Sequence, residues 1–175
     1  MREFAADPPV EREVGQALRE ADQTVAVAEG CTGGVLSALL TATPGASDYL
    51  DRAVVPYSYD SLRELFAVSR ETLDEHGVVS DPAARELARG VRDTAKTTWG
   101  VATAGVAGPE GGSAETPVGT VFVAVAYAGE WGRNASTVST ERYVFDGDRA
   151  TVRERGARAA LSELRCRIDE RTGDS

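Results

Sequence analysis

The sequence predicts an α/β domain: a three-layer α/β/α sandwich around a mixed, mostly parallel sheet. Three observations predict it. Short β-rich runs alternate with helical stretches along the chain. Two glycine-rich loops directly follow predicted strands, the places where open α/β sheets bind ligands. The 175 residues, 42% apolar and 27% charged, suit one hydrophobic core rather than two. No repeat or linker interrupts the pattern, so the expectation is a single domain over 1–175 with an ordered core over about 10–168.

Each element has its own signal. After a loose start over residues 1 to 9, Pro8-Pro9 precedes Val10, Val14 and Leu18, spaced for one face of a helix. Thr24 to Ala28 reads as a short buried strand, Glu29 to Gly34 as a tight glycine turn, and Val35 to Leu40 as a helix. That succession predicts backbone N–H groups exposed at a helix start. Thr43 to Ser47 is a loop, and Ala53 to Tyr57 a second strand that Pro56 either ends or places at an edge. Short helices are expected over Ser61 to Phe66 and Arg70 to Glu75, the latter stopped by His76-Gly77. Ser80-Asp81-Pro82 combines a capping hydroxyl, an acid and a first-turn proline, and Leu87, Val91 and Ala95 give the helix that follows its apolar stripe. Gly100 to Val106, Val118 to Ala126 and Ser136 to Phe145 read as three further strands. A last helix starts near Asp148 and turns Val152, Leu161 and Leu164 inward.

Composition narrows the function. The balance is acidic, 28 Asp+Glu against 19 Lys+Arg for a net charge of −9, which disfavours nucleic acid as a partner. Lys96 is the one lysine. A lysine-poor acidic surface is the pattern of proteins that work in high salt, where carboxylate repulsion is screened; an arginine-favouring genome composition is the alternative. No apolar run approaches the ~20 residues needed to span a bilayer, and Met1 to Pro9 does not resemble a secretory signal. The expectation is therefore a cytoplasmic protein without a membrane partner. Cys31 and Cys166 lie too far apart in sequence for a disulfide framework, and with His76 the one histidine no metal site is expected.

Four segments in order resemble the CinA C-terminal domain family: Ala28 to Gly34, Pro44 to Ser47, Val54 to Ser58, and Gly105 to Gly112 followed by Pro117 to Val121. His76 to Ser80 and Phe145 to Arg149, with Arg153, are weaker matches in the same order. The resemblance covers about residues 10 to 165. It implies an α/β/α fold, a homodimer, no cofactor and no metal. It also implies an activity, hydrolysis of the carboxamide of nicotinamide mononucleotide to nicotinate mononucleotide and ammonia. Amide hydrolysis needs a nucleophile, a base and oxyanion donors. Without a usable histidine, a Ser–Lys arrangement is the natural solution.

Carried over position by position, the resemblance keeps Ser47 and Tyr57 as candidate catalytic residues and Arg149 as a ligand-binding cation. It loses three functional groups: a serine at Gly30, a lysine at Leu62 and a hydroxyl at Ala104. Arg63 beside Leu62 stays protonated and is a poor base. Where catalytic residues act as a unit, losing one costs roughly 10⁴ to 10⁶ in rate. The loops are kept, so Cys31, Thr32, Gly33, Gly105, Ala107, Gly108, Pro109, Gly111 and Gly112 are candidates for holding a small nucleotide through backbone N–H groups. Three functions follow as expectations: a nucleotide-binding domain with weak or lost catalysis, an active amidohydrolase using Ser47 and Tyr57, or a protein-interaction subunit. A separate possibility is Cys31 as a nucleophile with a lowered pKa at a helix start, served by His76.

Overall fold

The computed structural model describes residues 4–130, 132–133 and 135–173. Met1 to Glu3 of the expected loose start lie outside them. Along the chain run α1 (Val10–Glu20), β1 (Val25–Glu29), α2 (Val35–Thr41), a 3₁₀ turn (Ala46–Asp48) and β2 (Leu50–Val54). There follow α3 (Tyr59–Phe66), α4 (Arg70–His76), α5 (Asp81–Ala95), β3 (Trp99–Gly105), β4 (Thr120–Tyr127), β5 (Thr137–Val144) and α6 (Arg149–Thr172). The strands form one sheet in the order β2-β1-β3-β4-β5. β1 pairs in parallel with β2 and β3, while β4 runs antiparallel to both β3 and β5. The sheet is mixed, as expected, and "mostly parallel" in strand direction, since β4 alone is reversed; the pairings are evenly divided.

The two faces of the sheet carry different side chains, and this sets the layers. Val25, Val27, Val101, Val121, Val123 and Val125 face one side and pack against α1, α2 and α6. Ala26, Ala28, Ala102, Ala104, Ala124 and Ala126 face the other and pack against α3, α4 and α5. Small side chains on that second face let α5 approach closely. A Cβ at Gly100 of β3 would stand 2.2 Å from the Ala88 carbonyl oxygen, and one at Gly90 of α5 would stand 2.1 Å from that of Phe66. Neither position accepts a side chain without displacing backbone.

Helix ends follow local chemistry. Ser58, Ser69, Ser80 and Asp148 cap α3, α4, α5 and α6 by accepting from the amide three residues on. Gly77 ends α4 at φ +72°. The second strand lies three residues earlier than its apolar run predicts, at Leu50–Val54 rather than 53–57. Both suggested roles for Pro56 are realised: β2 is an edge strand, and the proline lies just past its end. An edge strand exposed over Asp51, Arg52 and Ala53 carries no apolar alternation to read.

Register places the loops. Glu29 lies opposite Thr103, Ala28 opposite Val54, and Thr120 opposite Val144. The turns after β1, β2 and β3, the long loop into β4 and the start of α6 therefore gather at one end of the strands. The segment between α2 and β2 meets the other end, where Val25 lies opposite Leu50.

Candidate functional site

The glycine turn after β1 does not offer its helix start to a ligand. Glu29, fully buried, turns its carboxylate into the turn. One oxygen accepts from Thr32 Oγ1 (2.8 Å), Gly34 N (2.9 Å) and Leu36 N (3.0 Å), the other from Ser37 N (2.8 Å). The positive end of α2 is thus satisfied from within, which corrects the expectation of exposed N–H groups there. Glu29 stands in the matched motif, but nothing in its spacing shows that it folds under the turn.

Above this turn lies a cavity of about 210 Å³. Three of its lining residues are the three positions where the resemblance expects polar groups: Gly30, Leu62 and Ala104. Tyr57 joins them at the rim, and Val78, Val79 and Leu87 extend an apolar wall that sequence reasoning missed. Leu87 comes from α5 on the alanine face of the sheet, where its periodicity reads only as core, and Val78 and Val79 come from the connection between α4 and α5. Thr103, also in the lining, is fully buried and its hydroxyl lies 2.8 Å from that of Thr32.

A second, polar cavity continues from the first, since Cys31, Tyr57, Val79 and Gly105 line both. Its mouth is formed by Ala107, Gly108, Gly111 and Arg149. Arg149 bridges the mouth, donating to the Gly108 carbonyl (2.7 Å) and to the Tyr57 phenol oxygen (3.2 Å). Pro109 borders the outer side of Arg149. Among the described residues, the amides of Ala107, Gly108, Glu110, Gly111 and Gly112 donate to no protein acceptor. Unsatisfied amides beside a guanidinium make an anion-binding concavity. One turn along α6, Arg153 donates to the carbonyls of Thr32 (3.1 Å) and Gly33 (3.0 Å), fixing the glycine turn to the same helix.

Not every expected residue reaches this place. Ser47 is exposed on the 3₁₀ turn before β2, at the opposite end of the strands from Tyr57. The length of β1 separates the two, about 15 Å at ~3.3 Å per residue, so this chain's own cavity is built without Ser47. Thr32 is an interior residue, its hydroxyl committed to Glu29 and Thr103. Gly33 serves as the acceptor of Arg153, and Gly112 packs on the backbone of Val118 at the neck of its loop. Cys31 does reach the cavity, but not as a reactive thiol. Burial pushes it from 9.0 up to about 12, and the charge of Glu29 adds to this; the nearby amides and the Thr103 hydroxyl pull the other way. It also precedes the first residue of α2, Val35, by four positions. His76 lies exposed at the end of α4, 3.9 Å from Glu75, and is not in the lining. The lowered-pKa nucleophile is therefore corrected. Among the described residues no group of His, Cys, Asp and Glu could hold a metal ion, and no helix is long and apolar enough to cross a membrane.

An α/β domain with a strand-end cavity, an apolar floor and an arginine at its mouth has the layout in which open α/β sheets commonly place ligand sites. The chain belongs to the CinA C-terminal domain family, whose model matches residues 7–168. It is similar to a CinA-like protein of Thermotoga neapolitana, 41% identical over 165 residues, which cover 94% of this chain and 38% of that protein. It is also similar to a CinA-like protein of Anaeromyxobacter sp., 46% identical over 143 residues, 82% of this chain and 33% of that one. The chain thus spans less than two fifths of the length of these relatives. Among solved structures, a competence-damaged protein (CinA) superfamily protein of Enterobacter cloacae superimposes with a TM-score of 0.85 at 31% identity, over 95% of this chain and 94% of that one. The competence/damage inducible protein CihA of Agrobacterium tumefaciens gives 0.84 at 33% identity, over 97% of this chain and 99% of that one.

Proposed function

We propose that this domain binds a small phosphorylated nucleoside in the strand-end cavity, and that the amide-hydrolysing chemistry of nicotinamide-mononucleotide deamidases is weak or lost in it. One observation carries the reading. Gly30, Leu62 and Ala104, separated by up to 74 positions in sequence (104 − 30), converge on one cavity. They are the positions where the resemblance places two hydroxyls and a lysine base. The lining of the deep cavity holds no lysine, histidine or carboxylate to deprotonate a nucleophile, and Ser47 lies beyond the other end of the strands. The binding half is in better order: the mouth holds Arg149 and the unpaired amides of its loop. The acidic composition with only two cysteines, Cys31 and Cys166, both free, supports a cytoplasmic location.

The test is product analysis after incubation with nicotinamide mononucleotide at low and at multimolar salt, beside calorimetric titration with the same nucleotide. Saturable binding with no ammonia above background is the expected result. Turnover abolished by Ser47→Ala would replace this reading with that of an active amidohydrolase assembled between two copies. Absence of both binding and turnover in a folded sample would favour a protein-interaction subunit.

A further inference from the structure

On the reading that the site takes a phosphorylated nucleoside, its lining also points to the chemistry of the end that is buried. The deep walls are apolar: Leu62, Leu87, Val78, Val79, Ala104 and Pro56. Most of the polar side chains around them already have partners, and the two hydroxyls with capacity to spare belong to Tyr57 and Tyr59, which are 71% and 53% exposed. The Thr103 hydroxyl lies 2.8 Å from that of Thr32, Ser58 Oγ donates to Ser61 Oγ at 3.2 Å, and the Tyr57 phenol oxygen accepts from Arg149 at 3.2 Å. The amides of Cys31 and Thr32 face the Cys31 sulfur. A carboxamide carries two donors and an acceptor oxygen with two lone pairs. Buried against Leu62, Leu87 and Ala104 it would exchange water for apolar side chains that do not answer it. A pyridinium ring fares no better, because no carboxylate lines the deep cavity. Glu29 beneath it is sealed and its oxygens are occupied by the α2 start.

The volume admits one ring: a cavity of about 150 Å³ lined by aliphatic side chains holds benzene, and this one measures about 210 Å³. Because the apolar cavity opens into the mouth past Cys31, Tyr57 and Gly105, a ring inside and an anion at Arg149 can belong to the same molecule. We propose that the site selects a nucleotide-like ligand whose buried end is a neutral, apolar ring, and that it discriminates against the cationic carboxamide ring of nicotinamide mononucleotide.

The experiment is a calorimetric comparison of three probes on the full chain: ribose 5-phosphate, nicotinamide mononucleotide, and the 5-phosphate of phenyl C-riboside, which replaces the charged amide ring by benzene. The phenyl probe is expected to bind about tenfold or more tighter than nicotinamide mononucleotide, the discrimination that an unanswered buried polar group produces. Ribose 5-phosphate should compete for the same site more weakly than the phenyl probe. Ala104→Ser and Leu62→Gln, which place a hydroxyl or amide in the wall with little change in volume, should each narrow the gap. Nicotinamide mononucleotide binding as tightly as the phenyl probe would overturn the proposal while leaving nucleotide binding intact. Failure of all three probes to bind would overturn both.

Discussion

Arg149 and Tyr57, 92 positions apart in sequence, meet at 3.2 Å, and the same guanidinium holds the Gly108 carbonyl at 2.7 Å. One side chain at the start of α6 thus ties the segment after β2 to the loop after β3. A cation in a first helical turn opposes the helix dipole, and among the described residues its two hydrogen-bond acceptors are both neutral. An incoming anion would supply the opposite charge. Because the two bonds need a planar fork, lysine should not replace arginine here. Arg149→Lys is expected to weaken binding of a ribose phosphate ligand about tenfold and Arg149→Ala about a hundredfold, the range for charge-assisted hydrogen bonds. The exposed side chain contributes little to folding, so thermal melting without ligand should barely change. Equal affinity in both variants, measured by titration calorimetry, would remove Arg149 from the site.

Glu29 acts in the opposite direction, through stability. Its carboxylate is sealed and accepts from four donors at the glycine turn and α2. Glutamine would present an amide donor to one of those donors, leaving both without acceptors. Glu29→Gln is expected to cost about 3 kcal/mol and to lower the melting temperature by roughly 6–12 °C for a chain of this size. A melting temperature within 2 °C of the parent, by calorimetry, would mean that water enters the turn and answers these groups.

How far the sequence led can be traced through single residues. Val14, Leu18, Leu87, Val91, Leu161 and Leu164, chosen by helical spacing, are all buried, because periodicity is imposed by the core itself. Capping by Ser80, the start of the last helix near Asp148 and the stop at Gly77 are readable for the same local reason, whereas the cap made by Asp148 itself is not. The failures lie where the cause is not local. Nothing near Glu29 shows that it folds under α2. Nothing near Val78 or Leu87 shows that the alanine face of β1, β3 and β4 draws α5 close enough to make them pocket walls. Ser47 belongs to a motif segment that chain direction carries to the other end of the strands, which register fixes and spacing does not.

Cys31 links pH to stability. Burial holds its thiol near 12 in the folded chain against 9.0 for a free thiol. The sign follows from the protonated form being the neutral one. Below pH 9 both states keep the proton and the folded state loses nothing. As pH rises from about 9 towards 12 the unfolded chain releases the proton first, so stability falls across that window. Cys31→Ala should flatten the fall in melting temperature between pH 8.5 and 10.5. Alkylation at pH 8 should modify exposed Cys166 readily and Cys31 about a hundredfold or more slowly, given its small thiolate fraction. Equal rates at the two positions, by mass spectrometry, would contradict a buried protonated thiol.

Restoring chemistry is the severest test of the inherited site, and the structure decides which changes to make. Leu62 and Ala104 sit in the cavity wall, where lysine and threonine side chains would have the cavity to enter. Gly30 is different. A Cβ there would stand 2.7 Å from the Thr103 carbonyl oxygen, so Gly30→Ser needs a backbone shift between β1 and β3 and should lower the melting temperature on its own. The double change Leu62→Lys with Ala104→Thr therefore comes first. A lysine ammonium among Leu87, Val78 and Val79 is poorly solvated and its pKa should fall, which suits it to act as a base. With water as the nucleophile and the lysine taking its proton, ammonia release from nicotinamide mononucleotide is expected to rise by about a hundredfold over the parent, a fraction of the roughly 10⁴-fold that a complete catalytic unit commands. The rate should increase with pH as the lysine deprotonates. A folded double variant that binds the nucleotide and shows no gain would mean that the missing groups never acted from this wall, and that the catalytic expectation drawn from Leu62 and Ala104 is wrong.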